Sequence, residues 1–445
     1  MSVASRPARP ARITCPASRA PVWLKTVKWR KNLGLLQEAC VVAHPKPMAN
    51  KAALGFIFAV LLLDVIGLTI LIPVQAFIVR QYSDDALMVS LITVLYAIAQ
   101  FFAAPLLGTL SDRYGRRPVL LISMLGSAVG YVIFGIGGAL WILFLSRLID
   151  GFTGGNISTA SAYITDVTSA ENRAKGLALL GVALGLGFII GPALGGLLGQ
   201  ISLTAPAYAA AILSLLSAIF GFVALPESLP PEKRLRVPWR WADLNPFIPI
   251  IELLQRPLLR SLLITQSIFN FVVFGYNSVA PVFFIDTYGV NPANIAWLLV
   301  LVGVANVIVQ AGFIGRLVQA LGERRLAIIS VIFQAGNLAA IALISRFWMM
   351  YPISLISTAG AGSFRPTVGA LLSHHVSADE QGKLNGVVAS LGSLMSIFGP
   401  LWAGATYDHL APRAPLWLGA TLLLIALLLL VRFPVALPAQ GVAAD

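Results

Sequence analysis

Charge is what this chain has least of. Only 11% of its 445 residues are Asp, Glu, Lys or Arg, where a soluble domain carries about 25%. Hydrophobic residues make up 58%, and the mean hydropathy is +0.85. Such a chain cannot be a soluble globular protein, so its solvent is lipid. Cysteine is nearly missing too. Cys15 and Cys40 both precede the first apolar run, on the side that the charge bias makes cytoplasmic, which argues against a disulfide framework. The four histidines are His44, the adjacent pair His374 and His375, and His409, and they form no metal-ligand cluster. No nucleotide loop, catalytic triad or nucleophile with a partnered base is visible, which leaves an enzyme reading without support and implies no cofactor. Polar-apolar alternation is also lacking. Val89 to Leu107 and Leu416 to Val431 are apolar around the whole circumference, which excludes a transmembrane barrel.

The net charge of +13 would point to nucleic acid if the protein were soluble, so the placement of the charges decides. Ten of the 31 Lys and Arg precede Ala52, six lie between Lys233 and Arg260, and most others fall in alternate loops. The intervening loops hold only Arg80, Arg346 and Arg413. This is the positive-inside distribution of a multi-pass membrane protein, with both termini cytoplasmic and no nucleic-acid partner.

Stretches of the ~20 apolar residues that a spanning helix needs recur from Ala52 onward. Twelve spans are predicted: Ala52–Val79, Leu87–Leu107, Pro118–Gly138, Leu140–Ile164, Gly176–Gly199 and Thr204–Leu225, then Leu259–Ile285, Ala293–Gly315, Leu326–Ile344, Phe347–Leu372, Lys383–Tyr407 and Pro415–Arg432. The fold class is therefore an all-α membrane protein with two six-helix bundles. The expected organisation is a disordered basic segment (1–51), a first bundle (52–226), a cytoplasmic linker (227–258), a second bundle (259–433) and a short tail (434–445). Three readings fit the first segment, whose only acid is Glu38: an upstream extension with Met48 as an alternative start, a basic tether on anionic lipid, or an Arg-rich targeting sequence. The linker's prolines, charges, Trp239 and Trp241 leave room for a short helix at the membrane surface.

An internal repeat underlies the two halves. Gly108–Arg117 reads GTLSDRYGRR and Gly315–Arg325 reads GRLVQALGERR, each with glycines seven apart followed by basic residues. The two loops are 207 residues apart, and at nearly that offset Gly191-Pro192 meets Gly399-Pro400. Duplicated six-helix units build many secondary transporters, with the substrate site at the midplane between them.

On these residues the chain resembles the major facilitator superfamily, and within it the twelve-span drug:proton antiporters of the tetracycline-resistance-like branch. Gly108–Arg117 matches the pattern G-x-L-x-D-R-x-G-R-R; Arg147–Gly155, Gly185–Gly196 and Pro226–Pro230 resemble the motifs of spans 4, 5 and 6. The resemblance implies a monomer in the cell membrane, with a proton as coupling ion and a small-molecule substrate. It also implies that the loop of Gly108, Asp112, Arg113, Gly115, Arg116 and Arg117 is a gating latch holding the halves together in one state, with Asp166, Glu171 and Arg173 as partners. In the second copy Gln319 and Ala320 replace Asp112 and Arg113, so the latch is asymmetric. Gly187, Gly191, Gly195 and Gly199 fall four apart on span 5, a stripe for close helix packing. The resemblance adds that Gly191-Pro192 bends this antiporter-motif helix and seals it against proton leak.

Two acids lie deep in predicted spans. Asp64 is ~18 Å into span 1, and Asp150 is ten residues into span 4, three after Arg147 on the same face. Lipid disfavours the charged form of a carboxylate and an arginine favours it, so Asp64, Asp150 and Arg147 are candidates for proton coupling. Alternatively Arg147 and Asp150 form a permanent structural pair, and Asp64 hydrogen-bonds an opposing helix. Spans 3 and 9 contain no acid, where tetracycline exporters carry membrane-embedded ones, a departure that speaks against tetracycline as substrate. Gln75, Asn156, Gln266, Asn270, Asn277 and Arg365 are the candidate substrate contacts. Arg365 either meets an anionic substrate or pairs with a carbonyl at a helix break near Pro366. The sequence favours proton-coupled export of small amphipathic or drug-like compounds; a uniporter or symporter for a metabolite, or a non-transporting receptor, are the alternatives.

Overall fold

A computed structural model describes residues 47–169, 171–235, 247–377 and 380–432. The expectations for the first 46 residues, for Trp239 and Trp241 and for the tail after Arg432 lie outside them. Among the described residues the structure is all-helical.

Span 1 is α1 (Pro47–Thr69) and α2 (Ile72–Val79), spans 2 and 3 are α3 (Ala86–Tyr114) and α4 (Arg116–Ile136), and span 4 is α5 (Leu140–Thr153) and α6 (Asn156–Val167). Spans 5 and 6 are α7 (Arg173–Ile201) and α8 (Ala205–Ala224). The linker holds a short helix, α9 (Phe247–Leu254). Span 7 is α10 (Pro257–Tyr288), and span 8 joins α11 (Pro292–Ile308) to α12 (Ile314–Leu321) through a π-helical turn, Val309–Phe313. Span 9 is α13 (Glu323–Leu343), span 10 is α14 (Met350–Ala361) and α15 (Phe364–Ser373), and spans 11 and 12 are α16 (Gln381–His409) and α17 (Ala414–Arg432). Among the described residues nine helical stretches are long and apolar enough to cross a membrane. The other three crossings are spans 4, 8 and 10, each interrupted.

The interruptions follow local chemistry. Span 4 opens at Gly154-Gly155, and Asn156 begins the next helix. Span 10 opens at Gly362-Ser363, not at Pro366, because a proline in the first turn of a helix lacks only a donor that would be unpaired there anyway. By contrast, α7 runs unbroken through Pro192.

The glycine stripe of span 5 lies against span 1: a side chain at Gly187 would meet Val65, at Gly191 Thr69, at Gly195 the Ile70 carbonyl and Pro73, and at Gly199 Val74. Thr69 Oγ1 donates to Gly187 O at 2.8 Å across this contact. The second half repeats the arrangement, with Gly399 on span 11 against the Phe271 carbonyl of span 7. The repeat survives in polar contacts as well. Arg117 donates to Phe222 O at the end of span 6, and Arg324 donates to Leu430 O (3.2 Å) and Val431 O (2.6 Å) at the end of span 12. In each half a cation meets the negative end of a helix dipole.

The halves join at the end away from the linker. Arg80 meets Asp286 at 2.5 Å, Tyr407 Oη donates to Asp286 at 2.7 Å, and the Asp408 carboxylate accepts from Ala86 N and Leu87 N at 2.9 and 2.8 Å. Gly404 of span 11 packs on Leu87 and Ser90 of span 2, and Gly196 of span 5 on Ala296 of span 8. Toward the linker end, Gly108, Gly181, Gly312, Gly315, Gly382 and Gly386 on these same four spans have nothing within 4 Å of a Cβ position. Among the described residues the two halves are thus sealed at one end and parted at the other.

Candidate functional site

The break in span 4 positions the first constellation. Asn156, freed by Gly154-Gly155 to start α6, donates Nδ2 to Asp64 Oδ1 at 2.9 Å, while its own Oδ1 is buried without a partner. Gln100 Nε2 of span 2 donates to the Gly154 carbonyl at the break, 3.0 Å away. One turn before it, Arg147 Nη1 and Asp150 Oδ2 pair at 3.0 Å, the residues 4% and 1% exposed. Span 3 approaches this pair closely because residue 130 is glycine: a Cβ there would lie 3.1 Å from Asp150 Cβ. The guanidinium lies over the rings of Phe134 (4.6 Å) and Tyr131 (5.4 Å), and its Nε and Nη2 are buried without hydrogen bonds. The ring faces supply part of the stabilisation that solvent no longer gives. The contacts of both structural alternatives are therefore formed: Arg147 with Asp150, and Asp64 with another helix.

The second constellation is the loop after span 2. Gly115 has φ 108°, a conformation suited to glycine, and any side chain there would meet the Glu227 carboxylate. Glu227 accepts from Arg116 N (2.9 Å), Arg117 N (3.3 Å) and Leu229 N (3.0 Å), capping the start of span 3. The Arg116 guanidinium binds Asp112 (2.5 Å), Asp166 (3.1 Å) and Ser111 Oγ (2.7 Å), and Ser228 Oγ donates to Asp166 at 3.1 Å. These partners of Arg116, Asp166 and Glu227 belong to the first half and the start of the linker. Arg113 closes α3, whereas Glu171 and Arg173 are exposed at the start of α7. Ser169 hydrogen-bonds Glu171 and holds its carboxyl below the usual range. Sequence reasoning missed the capping role of Glu227. The available signal was its position: the first acid after span 6, directly following Pro226.

The candidate substrate contacts separate into two groups. Gln266 and Asn270 are buried against span 11, lining a narrow crevice with Ser267, Val388 and Leu391, and Gln266 Oε1 has no partner. Gln75 Nε2 donates to Thr93 Oγ1 at 3.3 Å. Asn277 and Arg365 are exposed. Arg365 follows Phe364, which is fully buried and stacks on Phe269 with ring centroids 3.8 Å apart.

The description "Major Facilitator Superfamily" matches residues 57–313 and again 262–443. The chain belongs to the Major Facilitator Superfamily. As a superfamily member it is a membrane transporter, not an enzyme, and it stands in the tetracycline-resistance-like branch. It is 35% identical over 390 residues to the class C tetracycline resistance protein of Escherichia coli, covering 87% of this chain and 97% of that one. It is 27% identical over 357 residues to multidrug resistance protein 2 of Bacillus subtilis (strain 168), covering 79% and 89%. The superfamily fold is also that of the nucleoside transporter NupG, whose crystal structure superposes with a TM-score of 0.71 at 15% identity over 86% of this chain and 99% of that one.

Proposed function

We propose that this transporter exports small amphipathic, drug-like compounds in exchange for protons. Two observations support the reading: relatives that confer resistance to tetracycline and to multiple drugs, and carboxylates buried within the spans of the first half, one against an amide and one against a guanidinium. The second carries it. A carboxylate whose charge is sustained by one or two movable partners changes proton affinity when those partners shift. Asn156 begins its own short helix beyond a glycine break, so rocking of the halves can alter its contact with Asp64 while Arg147 and Asp150 move together on α5.

The linker end is assigned to the cytoplasm because the basic loops lie there. On that assignment the structure is open to the cytoplasm and sealed outside, the state in which an exporter loads its substrate. The Asp112, Arg116, Asp166 and Glu227 cluster is preassembled from the first half and the start of the linker, and it engages the second half when the cytoplasmic ends close. The bundles 52–226 and 259–433 act as the moving bodies, and the protein works as a monomer in the cell membrane.

The test is proton movement in proteoliposomes under an imposed pH gradient, with lipophilic cations, tetracycline-like compounds and sugars as trial substrates. The proposal predicts that a drug-like compound dissipates the gradient through wild type and not through Asp64→Asn. Substrate flux without proton flux, unchanged in Asp64→Asn, would show a facilitator instead.

A further inference from the structure

Arg365 is a charged residue inside a span for which the fold, among the described residues, supplies no counterpart. It lies eight residues before the linker-side end of α15, ~12 Å in from that end. Among the described residues it makes neither an ion pair nor a hydrogen bond. Spans 7 to 12 hold no acid in their interiors: Asp286 and Asp408 stand at the sealed end, Glu323 and Glu380 at the open one. Along span 10, the face that carries Arg365 is buried in the sealed half at Ser354; toward the linker end Arg365 is exposed and Gly369 has nothing within 4 Å. Arg365 therefore fronts the space between the parted halves, where water can solvate it. Once the halves close and that water leaves, an unpaired guanidinium at this depth is costly.

The surroundings suit an anion. Phe364, buried and stacked on Phe269, fixes the root of α15. The break at Gly362-Ser363 turns the positive end of the α15 peptide dipoles to the same turn of chain as Arg365. Span 8 adds an amide pair, Gln310 Nε2 donating to Asn306 Oδ1 at 2.8 Å, with Gln310 inside the π-helical turn. Span 10 comes close to this pair at Gly362, where a Cβ would lie 3.2 Å from Asn306 Oδ1. Single π turns inside α-helices are frequent at functional sites.

We infer that Arg365, with Asn306 and Gln310, receives the anionic group of a substrate, so that the transported class includes organic anions: a carboxylate or sulfonate on an apolar or aromatic body. The inference rests on the export reading and names its substrate class. It divides the labour between the halves, with the proton on the first and the anion on the second. Arginine suits this role because its planar fork pairs bidentately with carboxylate-like groups.

The experiment is equilibrium binding to the full chain in lipid nanodiscs, which needs no proton flux and so stays informative if proton coupling fails. The probes are a fluorescent aryl sulfonate and tetraphenylphosphonium. The sulfonate should bind about tenfold or more weakly to Arg365→Gln, with much of the loss restored in Arg365→Lys and phosphonium binding undiminished. Gln310→Ala, which keeps the arginine, should show a smaller loss confined to the sulfonate. Wild type that binds phosphonium but not the sulfonate would overturn the inference. So would an Arg365→Gln protein that loses both probes alike, because Arg365 would then be a structural counter-charge.

Discussion

Asp64 meets a neutral amide, Asn156, whereas Asp150 meets a guanidinium whose Nε and Nη2 are already without partners. The same substitution should therefore act differently at the two sites. Asp64→Asn keeps an acceptor for Asn156 Nδ2 and should cost about 1 kcal/mol or less of stability, while proton-coupled transport is lost. Asp150→Asn strands a buried cation and should destabilise by about 3–5 kcal/mol, read as a drop in thermal unfolding temperature. An Arg147→Leu/Asp150→Leu double variant should be more stable than the Asp150 single variant, since no charge is left unpaired; a larger loss in the double would contradict this account. The depth of both acids was legible in the sequence from their distance to the span starts. Their partners were not, because Asn156 reaches Asp64 only through a helix break that periodicity in an apolar stretch does not mark.

At the scale of the helix, the four-residue glycine spacing on span 5 announced close packing but not which helix is packed; the structure supplies span 1. Gly195→Ala would bring a methyl group onto the Ile70 carbonyl, and backbone cannot move aside cheaply, so this variant should express poorly or unfold early. Gly181→Ala, on the same helix with nothing within 4 Å, should leave the unfolding temperature of this conformation unchanged or slightly raised. Equal sensitivity at the two positions would count against the packing described. The span 10 break shows where sequence reading fails. Pro366 draws attention, yet a proline is tolerated in a first turn and the chain opens at Gly362-Ser363. In the linker region, Arg256 donates to both Glu380 oxygens, at 2.8 and 2.5 Å, and pushes its carboxyl down to about 2. A depressed carboxylate contributes its stabilisation above its ordinary value near 4.5 and loses it as pH falls toward about 2. This tie between linker and span 11 should therefore not titrate between pH 5 and 8, and a Glu380→Gln protein should keep the pH profile of wild-type transport across that range.

For the whole molecule, hydropathy and the repeat revealed twelve crossings and two related halves, because lipid leaves a chain few ways to satisfy its backbone. The conformation was not legible. It depends on contacts between residues more than 200 positions apart, such as Arg80 with Asp286 and Asp408 with the start of span 2. Removing those contacts by Asp286→Asn and Asp408→Asn should shift the population toward opening at the sealed end. A cysteine placed at Leu87 should then react faster with a membrane-impermeant thiol reagent than in the otherwise wild-type protein. The central claim, that substrate and proton exchange on one carrier, is tested most directly by proton release from the purified protein in weak buffer as a transported compound binds. The account predicts release by wild type and a marked reduction in Asp64→Asn. Substrate binding to wild type with no proton released at any pH between 5 and 8 would contradict it.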